Sequence, residues 1–95
     1  MARTHRQPVG LDQLFPRVEA LRAQVRAMRY TPATDAELEQ ARKDDAAGVH
    51  LNAIEDSHTT PEEFALMAMM IEERLPERLR VEFTDRYIDL LAKSA

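Results

Sequence analysis

Few side chains in this 95-residue chain are able to do chemistry, and cysteine is absent. Without cysteine, disulfides, thiol nucleophiles and thiolate metal ligands are excluded. The three histidines are His5, His50 and His58; the last two lie on either side of a turn, and no i, i+4 His or acid pair completes a tetrahedral metal site. The sequence also has no Gly-rich phosphate loop and no nucleophile beside a base. It therefore predicts a protein that is not an enzyme, with no metal and no cofactor.

One acidic residue, Glu55, stands apart because of its position. It lies where a predicted helix ends, and the helix dipole disfavours an anion at a C-terminus. The preceding residue, Ile54, is apolar and is expected to be docked. A glutamate that gains so little within its own chain is best explained by a cationic group on a partner. An ordinary exposed glutamate at a frayed helix end is the alternative interpretation.

The composition favours an all-α fold, because strong helix formers dominate and the chain has only two Gly and no Trp. The length allows one domain at most. Pro8 and Gly10 punctuate a segment without periodicity, so residues 1–10 are expected to be a flexible tail and residues 11–95 a single helical domain. No apolar run reaches the length of a signal-peptide core or a membrane span, and the expected location is the cytoplasm.

The first two predicted helices have distinct starting signals. Apolar residues at steps of three and four from Leu11 predict an amphipathic helix to about Arg29. Pro16 fits the first turn, so the regular helix should begin near Phe15. Thr34 and Glu37 form a capping box that opens a second helix over residues 35–55.

The C-terminal third of the chain predicts a helical hairpin of residues 61–75 and 77–93. Thr60-Pro61-Glu62-Glu63 combines a cap, a proline at the first helical position and a glutamate at the capping-box position. The two facing apolar stripes are expected to form the main core, near helix 35–55. The stripe of the third helix is Phe64, Met67, Ala68, Ile71 and Leu75, and that of the fourth is Leu79, Phe83, Tyr87 and Leu90.

Charge is distributed unevenly along the sequence. Residues 1–33 hold six Arg against two acids, whereas residues 34–95 hold fifteen acids against seven Lys or Arg. An acidic body suits a basic partner surface, because complementary charge speeds the encounter. Nucleic acid is not favoured as a partner, since helices two to four are acidic and supply no basic recognition helix. Binding to an operator stays open.

A set of residues from Arg42 to Leu75 keeps one register without gaps: Arg42-Lys43-Asp44, Ile54-Glu55, Pro61, Ala65, Met67 and Leu75. In these residues the chain resembles the VbhA-like antitoxins, small proteins that silence Fic-domain toxins. The inhibitory helix of that family carries the pattern Ser/Thr-x-x-x-Glu-Gly/Asn, and its glutamate falls on Glu55. Leu51 stands at the Ser/Thr position and Asp56 at the Gly/Asn position. The first helix is extra relative to the shortest members.

The resemblance implies an inhibitory mechanism. Fic enzymes transfer AMP from ATP to a target hydroxyl, using a His base and Arg residues that hold the triphosphate. The family's glutamate pairs with one of those arginines and occupies the space of the γ-phosphate. The resemblance thus gives Glu55 the inhibitory role, supported by Leu51, Asn52, Ile54 and Asp56, in a heteromeric complex with a Fic-domain toxin.

Two other interpretations remain beside the antitoxin. One is a non-catalytic helical adaptor or chaperone, whose acidic face covers a basic partner protein. The other is a DNA-binding regulator, which the acidic helices disfavour. The antitoxin and the adaptor differ in whether activity depends on Glu55 or only on the binding surface.

Overall fold

The computed structural model describes residues 15–94, and this part of the chain is all-α with four helices and no strand. In chain order the helices are α1 (Pro16–Arg26), α2 (Asp35–Ile54), α3 (Pro61–Glu72) and α4 (Glu77–Ser94). The predicted fold class is therefore confirmed. The predicted tail, residues 1–10, and the predicted lead-in, residues 11–14, lie outside the described residues.

Local signals set the helix starts as the sequence predicted. Pro16 occupies the first turn of α1, which ends at Arg26 rather than at the expected Arg29. At the start of α2, Thr34 Oγ1 accepts a hydrogen bond from the Glu37 amide at 3.2 Å, while the Glu37 carboxylate accepts one from the Thr34 amide at 2.7 Å. Both reciprocal bonds of the capping box are present, so the second helix begins where the sequence places it.

The start of α3 repeats this arrangement. Thr60 Oγ1 accepts from the amide of Glu63 at 3.1 Å, and the Glu63 carboxylate accepts from the Thr60 amide at 2.8 Å. Pro61 follows the cap at a position where its missing N–H has no intrahelical acceptor to lose. The turn between α2 and α3 is thus fixed from its C-terminal side by hydrogen bonds between side chains and backbone amides.

Helix α1 lies in the core rather than at its edge. Its residues Val18, Leu21 and Val25 have no solvent exposure. They pack with buried side chains of the last two helices and the link between them: Leu66, Met69, Met70, Leu75, Leu79, Phe83 and Tyr87. The α3–α4 hairpin supplies much of the main core as expected, and α1 adds a third apolar face that was not expected there.

The buried face of α3 also differs from the predicted stripe. Leu66, Met69 and Met70 are buried, whereas Phe64 is 49% exposed and Ala68 is exposed. Residues 64–71 are apolar without interruption, so periodicity alone does not select one side of this helix. Packing against α1 selects the side that carries Met69.

At the polar edge of the core, arginines of α1 form hydrogen bonds with acidic side chains. Arg17 makes two hydrogen bonds to the Glu62 carboxylate, at 2.8 and 3.0 Å, and the Tyr87 hydroxyl donates to the same carboxylate at 2.8 Å. Arg22 is buried and donates to Glu19, Glu72 and Glu73. Charge-assisted and bidentate contacts of this kind are stronger than neutral hydrogen bonds. The arginines fix α1 against α3, and Tyr87 of α4 donates to the same Glu62 carboxylate.

Helix α2 is attached mainly near its beginning. Leu38 and Ala41 are its only buried residues, and neither belongs to the central apolar cluster. The Ala33 amide donates to the Arg74 carbonyl at 2.9 Å, and the Arg74 guanidinium donates to Asp35 at 2.8 Å. The C-terminal half of α2 has no buried residue, so its end is presented to solvent.

Candidate functional site

The end of α2 is closed by a Schellman motif, and this motif positions Glu55. The amide of Asp56 donates to the Ala53 carbonyl at 3.1 Å, and that of Ser57 donates to the Asn52 carbonyl at 2.8 Å. These are the two bonds that define the motif. Asp56 has a φ of 61°, in the left-handed region that Gly and Asn adopt most easily. The backbone around Glu55 is therefore ordered by hydrogen bonds although the side chains are exposed.

Glu55 itself occupies the C-cap and is exposed. Within residues 15–94 its carboxylate accepts no hydrogen bond and forms no ion pair. The last turn of α2 contains no basic residue to offset its charge. An anion at this point interacts unfavourably with the helix dipole, at about 0.3–1 kcal/mol. The carboxylate is thus open to a cation supplied from outside the described chain.

Two apolar side chains flank Glu55 on the same face of α2. Leu51 precedes it by four residues and is 57% exposed, and Ile54 is 66% exposed. Residues three and four apart share a helix face, which places Leu51 beside both Ile54 and Glu55. Ile54 is therefore not docked against the described residues, contrary to the expectation from its apolar character. The helix end offers one carboxylate beside two apolar contacts.

Asn52 lies off this face and has a different structural role. It is half-buried, and its Nδ2 donates to Thr59 Oγ1 at 3.2 Å. This bond crosses the turn between α2 and α3 and supports the Schellman backbone. Of the four residues predicted to support Glu55, Leu51 and Ile54 share its face, whereas Asn52 and Asp56 shape the turn.

His58 lies beside Asp56, with Nε2 at 3.6 Å from Oδ1, and both side chains are exposed. Within residues 15–94 no group of three His, Cys, Asp or Glu side chains is arranged to hold a metal ion. None of the helices in that range is long and apolar enough to cross a membrane. The chemistry available at this end of α2 is the acceptance of hydrogen bonds by a carboxylate, with apolar contact beside it.

Sequence reasoning missed one feature of this site. Asp56 departs from Gly/Asn in type but takes the left-handed backbone that these residues favour. Residue type alone does not indicate this conformation, because a single Asp after a helix fits both a regular turn and a left-handed cap.

Comparisons with known proteins add no family or neighbour. A scan of protein-family models, a search of curated proteins and a search of solved structures each found no match to this chain.

Proposed function

We propose that this protein is an antitoxin that binds a Fic-domain adenylyltransferase and inhibits it through Glu55. The observation that carries the proposal is the position of Glu55 at an exposed, ordered helix end, with no cationic partner among residues 15–94. A glutamate at a C-cap costs its own helix stability. An arginine of a partner enzyme offsets that cost.

The proposed contact has a clear physical basis. A carboxylate and a guanidinium form two parallel hydrogen bonds, which give both strength and a fixed orientation. If Glu55 holds the arginine that would otherwise bind the γ-phosphate, ATP is displaced from its reactive position. Phosphoryl and nucleotidyl transfer depend on positioning, and a displacement of about 1 Å lowers the rate by about 10²-fold. The chain then acts as an inhibitor and not as an enzyme.

The residues around Glu55 support this assignment in two ways. Leu51 and Ile54 supply exposed apolar contacts on the same face, so a partner buries them when Glu55 is inserted. Asp56 holds the left-handed backbone that the Gly/Asn position of the resembled pattern favours. The Ser/Thr position is filled by Leu51, so that position contributes apolar contact here instead of a hydroxyl. The complex belongs in the cytoplasm, where the ATP used by a Fic enzyme is found.

The adaptor remains the second candidate, because exposed Leu51 and Ile54 favour binding whatever the role of Glu55. Such an adaptor covers a basic partner without affecting nucleotide transfer. The two candidates differ in one respect, which is whether removal of the Glu55 carboxylate releases an activity.

The test is co-purification with the product of the neighbouring open reading frame, followed by an AMP-transfer assay. The complex with Glu55→Gly should transfer AMP about 10²-fold faster than the original complex, with the partner still bound. Glu39→Gln is a matched control, because Glu39 is an exposed glutamate of the same helix, and it should leave inhibition unchanged.

Two results would overturn the antitoxin assignment. Equal silencing by the original chain and Glu55→Gly would remove the role of Glu55. A stable complex without AMP transfer in either form would favour the adaptor.

A further inference from the structure

A groove lies among three helices: the C-terminal half of α2, α3 and α4. Its volume is about 330 Å³. Apolar side chains from all three helices line it: Val49, Leu66, Met67, Ile88 and Leu91. Ile88 is 54% exposed and Leu91 is 36% exposed, so this surface is only partly covered by the described chain. A partly covered apolar groove between helices has the shape that receives another helix.

The edge of this groove is acidic. Asp44 and Asp45 lie on the α2 side and Glu63 on the α3 side, and no Lys or Arg is among the described residues that line it. A second depression of about 300 Å³ shares Asp44 and Asp45 and continues the groove toward the start of α4. Glu77 and Asp85 line that continuation, with Arg80 as the one base among the described residues there. The charge of the groove is complementary to a basic partner.

Asp45 shows that this charge is poorly compensated within the described chain. Burial raises the pKa of Asp45; the nearby Arg80 opposes this rise, and Asp44 adds to it. A carboxylate in this setting has lost part of its hydration and lies beside another anion. A cationic side chain placed in the groove would stabilise its charged form.

Gly48 is a further sign of space beside the groove. It lines the groove from α2, and a Cβ built there would meet nothing within 4 Å. Glycine inside a helix is destabilising relative to alanine, and no close neighbour in the described chain requires it here. A backbone or side chain that approaches α2 from outside would use this space.

We propose that the groove between α2, α3 and α4 binds an amphipathic helix of a partner protein that has an apolar stripe flanked by Lys or Arg. The apolar stripe packs on Val49, Met67 and Ile88, and the flanking cations meet Asp44, Asp45 and Glu63. Leu51, Ile54 and Glu55 are not among the residues that line this groove. The proposal does not depend on inhibition of a Fic enzyme.

The probe is a fluorescein-labelled synthetic peptide of about 18 residues, equivalent to about 27 Å of helix. It carries Leu at helical spacing and Lys at the remaining positions, and a matched peptide carries Glu in place of Lys. Fluorescence anisotropy with the full chain should show binding of the Leu/Lys peptide that weakens with salt. The Leu/Glu peptide should bind at least about tenfold more weakly, because its charges oppose those of the groove.

Two isoleucines supply matched variants for this assay. Ile88→Lys changes an exposed isoleucine in the groove and should weaken Leu/Lys peptide binding by about tenfold. Ile54→Lys makes the same change at an exposed isoleucine outside the groove and should alter binding less than about twofold. Gly48→Leu fills the open space in the groove and should also weaken binding. Circular dichroism checks that each variant keeps the helix content of the original chain.

Backbone amide shifts on addition of the Leu/Lys peptide locate its binding site. The proposal predicts the largest shifts at Val49, Met67 and Ile88. Largest shifts at Leu51 and Glu55, or equal effects of the two Ile→Lys variants, would overturn it. Nuclear Overhauser contacts from residues 1–14 to Ile88 in the free chain would show that the N-terminal residues of the same chain occupy the groove. A concentration-dependent dimer that is lost in Ile88→Lys would show that a second copy of the chain occupies it. Either result would overturn the proposal.

Discussion

Helices α2 and α3 end in the same backbone motif, yet their caps have opposite surroundings. Each has a glutamate at the C-cap, Glu55 or Glu73, followed by a residue of positive φ, Asp56 at 61° or Arg74 at 55°. In α3 the amide of Leu75 donates to the Met70 carbonyl at 3.0 Å, as that of Ser57 does to Asn52 in α2. The difference between the two ends therefore lies in their side chains.

The α3 end is satisfied by the rest of the chain. The Glu73 carboxylate accepts hydrogen bonds from Arg26 and Arg22, and the Tyr30 hydroxyl donates to the Glu73 carbonyl at 2.6 Å. Leu75 follows in the motif with no solvent exposure. At the α2 end, Glu55 lacks such cations among the described residues, and Ser57 takes the place of the buried leucine. The same motif is thus packed into the core at the end of α3 and exposed to solvent at the end of α2.

The largest expected difference concerns the residue two places beyond each cap. Leu75→Ala should lower the free energy of unfolding by about 2–5 kcal/mol, because it removes a fully buried side chain. Ser57→Ala, at the equivalent exposed position, should change it by less than about 0.5 kcal/mol. Urea unfolding followed by circular dichroism measures both. Similar losses at the two positions would show that the α2 end is also part of the core.

The two cap glutamates should respond with opposite sign. Glu73→Ala removes an acid that is hydrogen-bonded to two arginines and should lower the free energy of unfolding by about 1.5–3 kcal/mol. Glu55→Ala removes an anion from an uncompensated helix end and should raise it by about 0.3–1 kcal/mol. The same unfolding assay at low salt separates the two results. A marked loss of stability in Glu55→Ala would reveal a partner for Glu55 within its own chain.

Low pH should reduce the free energy of unfolding, in part through protonation of Glu73 at the end of α3. Hydrogen bonds from Arg26 lower the pKa of Glu73 from its ordinary value of 4.5. Burial opposes this decrease, and hydrogen bonding from Arg22 adds to it. A carboxyl with a lowered native pKa stabilises the fold above 4.5, and this contribution is lost as pH falls through the native pKa. Urea midpoints measured from pH 7 to pH 3 should therefore fall less steeply in Glu73→Ala than in the original chain. Parallel curves would contradict this role of Glu73.

A further small difference concerns the two left-handed residues. Asp56→Gly should raise the free energy of unfolding by about 0.5–1 kcal/mol, because glycine adopts positive φ without steric cost. Arg74→Gly should instead be destabilising, because the guanidinium hydrogen bonds to Asp35 and the Ala33 carbonyl are lost. Thermal unfolding compares the two variants. A destabilised Asp56→Gly would mean that the Asp56 side chain contributes to the turn.

The sequence predicted those parts of the fold that depend on neighbouring residues. The capping boxes of Thr34 and Thr60 and the first-turn prolines Pro16 and Pro61 are local signals, and all are present as expected. The buried face of α4 was also predictable, because Leu79, Phe83 and Tyr87 recur at four-residue steps among mostly polar residues.

What depends on distant contacts was not predictable. The continuous apolar run of α3 hid its buried side, and Phe64 was placed inside although it is 49% exposed. The central position of α1 rests on packing with residues more than forty positions away, such as the contact of Arg22 with Glu73. At the candidate site, the position of Glu55 at the helix end was predictable from local pattern. The exposure of Ile54 was not, because an apolar residue type does not reveal whether its own chain covers it.

The most direct test of the difference between the two helix ends is a titration of the proposed Fic-domain partner with added chain, measured as inhibition of AMP transfer. The proposal predicts full inhibition by the original chain and by Glu73→Ala at a temperature where both are folded, because the Glu73 carboxylate is already paired with Arg22 and Arg26 of its own chain. Glu55→Ala should bind but leave AMP transfer about 10²-fold faster than the original chain does. Full inhibition by Glu55→Ala would contradict the proposed role of this helix end.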